Sequence, residues 1–83
     1  MLVTVYTTPN CVACNSTKRQ FQKLGVRYDE VALENHPELI DQFKEKGHIQ
    51  APIVVAGESI WSGYRHEKIQ NLAAKFNRES NNK

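Results

Sequence analysis

Two cysteines three residues apart, Cys11 and Cys14, stand where an apolar run gives way to helical spacing. The run before them, Leu2-Val3-Thr4-Val5-Tyr6, is β-branched and apolar enough for a strand buried on both faces. After them, Cys14, Thr17, Phe21 and Leu24 fall at spacings of three, four and three, one stripe of a helix, with Lys18, Arg19, Gln22 and Lys23 largely away from it. A Cys-x-x-Cys at such a junction constrains fold and chemistry together. The first cysteine lands at a helix N-terminus, where unpaired backbone N–H groups and the helix dipole favour a thiolate, the form that attacks disulfides. The second lies about one turn further along, within reach of the first for a disulfide.

The rest of the chain reads as alternating short elements. Thr7-Thr8-Pro9-Asn10 is a loop, since Pro9 bars a simple continuation of the strand. Gly25 follows the first helix as a residue able to take positive φ. Val26 to Leu33 predicts a second strand, and one helix between two strands suggests a parallel βαβ unit. Asn35 is placed as an N-cap, with His36 and Pro37 opening a second helix whose apolar face is Leu39, Ile40 and Phe43, ended by Gly47. Gln50-Ala51-Pro52 leads into a third strand, Ile53-Val54-Val55-Ala56. The turn Gly57-Glu58 joins it to a fourth, Ser59-Ile60-Trp61, as an antiparallel hairpin. From Arg65 on, Ile69, Leu72, Ala73 and Phe76 recur at i, i+3, i+4 and i+7, a third amphipathic helix. The order is βαβαββα, an α/β domain over residues 1–76, with a polar tail, 77–83, expected to fray.

Composition excludes several function classes. Eighty-three residues make one domain, and its only two cysteines would close a loop too small to staple the fold, so the pair reads as chemistry in a reducing, cytosolic compartment. A net charge of +2 is too small to argue for nucleic acid. No apolar run approaches the roughly 18 residues of a membrane span, and Met1-Leu2-Val3 enters a strand pattern without the signature of a signal peptide. Zinc takes about four ligands, and the three histidines, His36, His48 and His66, are scattered without metal-ligand spacing. No metal is expected.

Cys11-Val12-Ala13-Cys14, Gln50-Ala51-Pro52 and Trp61-Ser62-Gly63-Tyr64-Arg65 together resemble the signature of the NrdH redoxins, glutaredoxin-like proteins of the thioredoxin-fold superfamily. The similarity runs from about Val3 to Leu72. It implies a minimal thioredoxin fold, a four-stranded mixed sheet with helices on both faces. It further implies a dithiol electron carrier that reduces the large subunit of class Ib ribonucleotide reductase, is itself reduced by thioredoxin reductase, binds no cofactor and acts as a cytoplasmic monomer. Cys11 and Cys14 are then the redox pair. The Ala51–Pro52 bond is expected to be cis, with the Ala51 backbone beside the dithiol, where it can pair with an extended substrate segment.

Several positions depart from the pattern. Ala13 replaces a common Gln, Tyr64 a Phe and His66 a Pro, and Thr8 stands where a Lys is common. Thr8 and Pro9 flank the dithiol and shape its access, as do Val12 and Ala13 between the cysteines. Trp61 reads either as core or as a half-exposed ring beside the site. Ser62 and Gly63 either cap the third helix or fill the surface where glutathione would otherwise lie. Tyr64 is expected as a partly exposed contact and Arg65 as part of the same patch. Lys18 and Arg19 read as a solvated face that lends positive potential to the thiolate. Two rival functions remain at this level. One is a glutathione-coupled glutaredoxin, disfavoured by Thr8 and by Val12-Ala13 in place of the usual Pro-Tyr. The other is a metal or iron–sulfur module using Cys11.

Overall fold

The computed structural model describes residues 2–81. Its elements are β1 (Val3–Thr7), α1 (Val12–Lys23), β2 (Asp29–Ala32), α2 (Pro37–Glu45), β3 (Ile53–Ala56), β4 (Ser59–Ser62) and α3 (His66–Asn81), in the βαβαββα order expected. The sheet runs β2-β1-β3-β4. β1 and β2 are parallel, joined by the crossover helix α1, and the other two pairings are antiparallel.

The period of two along each strand sorts side chains to two faces. Val5 lies opposite Val54, which lies opposite Trp61. This row meets Phe21 of α1 and Ile69, Leu72 and Ala73 of α3 in the larger core. The alternate row, Tyr6 opposite Ile53, meets Phe43, Leu39 and Ile40 of α2 on the other face. The helices therefore cover both faces, α1 and α3 together and α2 alone, as a mixed sheet with little polar surface to spare requires.

Both glycines named as helix stops act through the same device. At α1, Gly25 takes φ 74° and its N–H donates to Gln22 C=O, while Val26 N–H donates to Phe21 C=O. At α2, Gly47 takes φ 87°, with Gly47 N–H on Lys44 C=O and His48 N–H on Phe43 C=O. This is the Schellman arrangement, and Val26 completes its usual apolar contact with Phe21 in the core.

The caps also explain where the boundaries differ from expectation. Val26 cannot open β2 because its N–H closes α1, so the strand begins at Asp29 rather than Val26. It ends at Ala32 because Leu33–Asn35 form a 3₁₀ turn. Asn35 lies inside that turn and so is not the cap of α2; His36 is, without a side-chain bond, and Pro37 occupies the first turn where its missing N–H costs nothing. At the other end α3 continues to Asn81, so the helix extends well past the Asn77 expected to begin a frayed tail. Asn82 and Lys83 lie outside the described residues.

Candidate redox site

Cys11 is the N-cap of α1, with extended backbone at φ −106°, ψ 107°. Its Sγ accepts the Cys14 N–H at 3.1 Å, and its carbonyl accepts from Asn15 N–H at 3.2 Å. The cap role normally filled by a Ser, Thr or Asp oxygen is here filled by sulfur. An anion on that sulfur gains from the same N–H and from the positive end of the helix. The first turn of α1 carries no acidic residue to oppose it. The two cysteines are joined as a disulfide, with Cα atoms 5.2 Å apart. Their surroundings differ: Cys11 is half-buried, whereas Cys14 is only 2 % exposed, on the same inward stripe as Thr17 and Phe21.

The loop ahead of the pair is open. Thr8, Pro9 and Asn10 are exposed, and Asn10 takes φ 56°, a left-handed conformation that Asn tolerates better than most residues. Val12 is 79 % exposed and Ala13 half-buried, so the first turn of α1 presents an apolar surface beside the sulfurs.

Sheet pairing brings a second segment to the same end. β3 begins at Ile53 opposite Tyr6, so the Ala51-Pro52 turn before it hangs beside the end of β1 and the dithiol loop. The Ala51–Pro52 bond is cis, Pro52 is buried and Ala51 half-buried. Thr8 and Ala51 line one small cavity, which places the two loops side by side.

A third segment is clasped onto the second. Gly63 N–H donates to Pro52 C=O at 2.8 Å, and Ser62 Oγ pairs with His48 Nδ1 at 3.3 Å. Gly63 takes φ 80°, and a Cβ there would stand 3.3 Å from Gln50 Oε1. A larger residue would thus meet both a backbone and a contact objection. Arg65 Nε reaches back to Ser62 C=O at 3.3 Å, and Tyr64 stands 39 % exposed beside this clasp.

The structure decides between two readings at Trp61 and at Ser62-Gly63, and corrects the reading of Lys18. Trp61 is core: the residue is 5 % exposed and packs on the α1–α3 face, so the half-exposed reading falls. Ser62 and Gly63 do not cap α3, because Ser62 belongs to β4 and the helix starts only at His66, with Ile69 N–H on Arg65 C=O as an early helical bond. Lys18 is not a free cation. Its Nζ pairs with Glu30 Oε2 at 3.0 Å, the oxygen that also accepts Thr7 Oγ1–H at 3.1 Å. Its charge is therefore largely spent on β2 rather than on the cysteines.

The Lys18 hydrogen bond holds the Glu30 carboxyl below the ordinary glutamate range; partial burial opposes it, and Thr7 and the lysine charge add smaller help. A lowered folded-state pKa contributes stability above the unfolded value, lost as pH falls through the folded one. Glu30→Gln should therefore cost about 0.2–1 kcal/mol at pH 7, the range of a half-exposed pair, and nothing at pH 2. Urea unfolding at the two pH values checks this; an equal loss at both would mean that the ion pair carries none of it.

Sequence reading missed His48, Ile49 and Gln50 as members of the site. Ile49 is 76 % exposed, and an isoleucine in an otherwise polar connection, just before the Pro turn, was the available signal. Among the described residues, no three His, Cys, Asp or Glu side chains come together as a metal site, and no helix is long and apolar enough to cross a membrane.

The family comparisons agree with this geometry. The glutaredoxin family model matches residues 3–61. The glutaredoxin-like protein NrdH of Salmonella typhimurium is 38 % identical over 72 residues, 87 % of this chain and 89 % of that protein. Its counterpart in Escherichia coli K12 is 35 % identical over the same shares. The solved structure of E. coli NrdH-redoxin superposes with a TM-score of 0.83, at 35 % identity, over 87 % of this chain and 95 % of that one. A glutaredoxin from Archaeoglobus fulgidus superposes at 0.72, with 25 % identity, over 84 % and 83 %. With a family model matched over most of its length and relatives matched over nearly theirs, the chain belongs to the glutaredoxin family, as one of its NrdH-type redox proteins.

Proposed function

We propose that the chain is a dithiol–disulfide electron carrier of the cytoplasm, acting as a monomer, in which Cys11 is the nucleophile and Cys14 the resolving thiol. The observation that carries the assignment is the asymmetry of the pair: Cys11 is half-buried at the helix cap with a backbone N–H on its sulfur, while Cys14 is buried. The Cys11 thiolate attacks one sulfur of a target disulfide. That S–S bond breaks as a mixed disulfide forms, and the leaving thiolate takes up a proton. Cys14 then loses its proton and attacks Cys11 Sγ, releasing the second target thiol. Two electrons and two protons pass to the target, and the chain is left as the Cys11–Cys14 disulfide. The target segment lies against the Ala51 backbone, next to Pro52, with Thr8, Pro9, Val12 and Ala13 on one side and Gly63, Tyr64 and Arg65 on the other.

The target is the large subunit of class Ib ribonucleotide reductase, and the electrons come through thioredoxin reductase. Glutathione carries a carboxylate at each end, and holding it calls for cations or paired donors at both. Thr8 supplies no charge, and Lys18 is engaged by Glu30. The solved E. coli relative is described as having a thioredoxin-like activity profile, which supports the same choice. The test supplies NADPH with either thioredoxin reductase or glutathione plus glutathione reductase and follows NADPH oxidation. Turnover with the first and little with the second is expected. The reverse result would move the chain to the glutathione-coupled glutaredoxins.

A further inference from the structure

Beside the Ala51-Pro52 turn, on the α2 face of the sheet, lies a cavity of about 90 Å³. Leu33, Phe43 and Ile53 are buried in its wall, and Ile40 is half-buried there. Thr8 of the dithiol loop, Ala51 and the 76 % exposed Ile49 also line it. Lys44, His48 and Gln50 complete the lining, and among the described residues no carboxylate joins them. A largely apolar hole that shares Thr8 with the dithiol loop and Ala51 with the proline turn, and is lined by an exposed isoleucine and a lysine, is a poor way to leave a surface that meets only water.

We propose that this cavity is a specificity pocket for the target: it takes one aliphatic side chain, leucine or similar, from the residue next to the attacked cysteine, within an acidic segment. The proposal rests on the dithiol–disulfide reading above and adds the sequence preference that reading lacks. Size selects the side chain. A cavity of about 150 Å³ holds a benzene ring, so one of about 90 Å³ suits a branched aliphatic group and crowds an aromatic one. Position selects the residue. An extended segment pairing with the Ala51 backbone alternates its side chains, so a cysteine turned to the α1 side sends its neighbour to the α2 side, where the cavity lies. Charge selects the segment, because Lys44 on the rim favours a nearby carboxylate and opposes a second cation.

The test uses the full chain, reduced and freed of reductant, mixed with short peptides carrying an internal disulfide. Each has Leu, Phe, Asp or Lys beside one cysteine, followed by Glu; a fifth has Leu followed by Lys. Release of peptide thiols is timed. The Leu-Glu peptide should be reduced about tenfold faster than the Asp and Lys peptides, as burial of one aliphatic side chain implies. It should also outpace the Phe peptide, and outpace Leu-Lys at low salt. Ile49→Asp, at an exposed position, should erase most of the leucine preference; Ile40→Phe, which fills the cavity from its wall, should do the same. Equal rates for all five peptides, or a preference that survives both substitutions, would overturn the proposal while leaving the dithiol reading intact. Faster reduction of a glutathione mixed disulfide than of the Leu-Glu peptide would assign the groove to glutathione and overturn it too. Failure of the reduced chain to act on any of these or on Ellman's reagent would sink the dithiol reading, and the pocket with it.

Discussion

Cys14→Ser will turn the chain into a covalent trap, whereas Cys11→Ser will abolish reaction with disulfides and trap nothing. The two sulfurs belong to one disulfide, yet the fold treats them differently. Cys11 sits at the helix cap, receives the Cys14 N–H at 3.1 Å and is open to an incoming disulfide. A helix N-terminus favours a thiolate over a thiol, which makes Cys11 the expected attacking sulfur. Cys14, 2 % exposed, reaches only a sulfur already delivered to Cys11. Mass spectrometry of each variant after exposure to a disulfide-bearing target measures the outcome directly. A persistent adduct on Cys14→Ser and none on Cys11→Ser is expected; an adduct on the Cys11 variant would reverse the roles. Turnover should fall to background in both.

Phe21→Ala should be the most damaging change outside the pair. Phe21 is fully buried, meets Tyr28 with ring centroids 5.7 Å apart and supplies the carbonyl that closes α1 through Val26 N–H. Removing a buried aromatic side chain costs about 3–5 kcal/mol. At about 0.05–0.15 kcal/mol per residue, an 83-residue domain has about 4–12 kcal/mol in all. The variant should therefore melt at least about 12 °C lower, with the helix that presents the dithiol the first to lose its seat. Thermal unfolding followed by circular dichroism tests this. A loss under about 1 kcal/mol would show that α1 is held mainly by contacts other than Phe21.

Much of this was legible in the chain because the decisive signals are local. The Cys14–Thr17–Phe21 stripe, the glycines after α1 and α2, and the Gly57-Glu58 turn each act within a few residues of where they are read. The errors came from partners distant in sequence or from competition for one donor. Val26 has strand character, but its single N–H is claimed by Phe21, and no window of residue preferences weighs that competition. Lys18 looks like a solvated helix cation until β2 delivers Glu30, twelve residues on, to its ammonium. Trp61 could have faced either way, and the register Val54 opposite Trp61 decided for the core. Ile49 stood out in the sequence as an isoleucine in a polar connection, and its 76 % exposure shows that it is not spent on the core.

The strand directions give the molecule two chemically unlike poles. Thr7, Ala32, Ile53 and Ser62 all lie toward the dithiol end, while Val3, Asp29, Ala56 and Ser59 lie toward the other, with the turns at Gly25 and Gly57-Glu58. A Cβ at Gly25 or Gly57 would meet nothing within 4 Å. That far pole is a ready handle. A surface tether on the exposed Glu58, with Gly57 kept at its positive φ, would hold every molecule in an array with its sulfurs pointing outward, a bench reagent in which no copy is blocked by its own anchor.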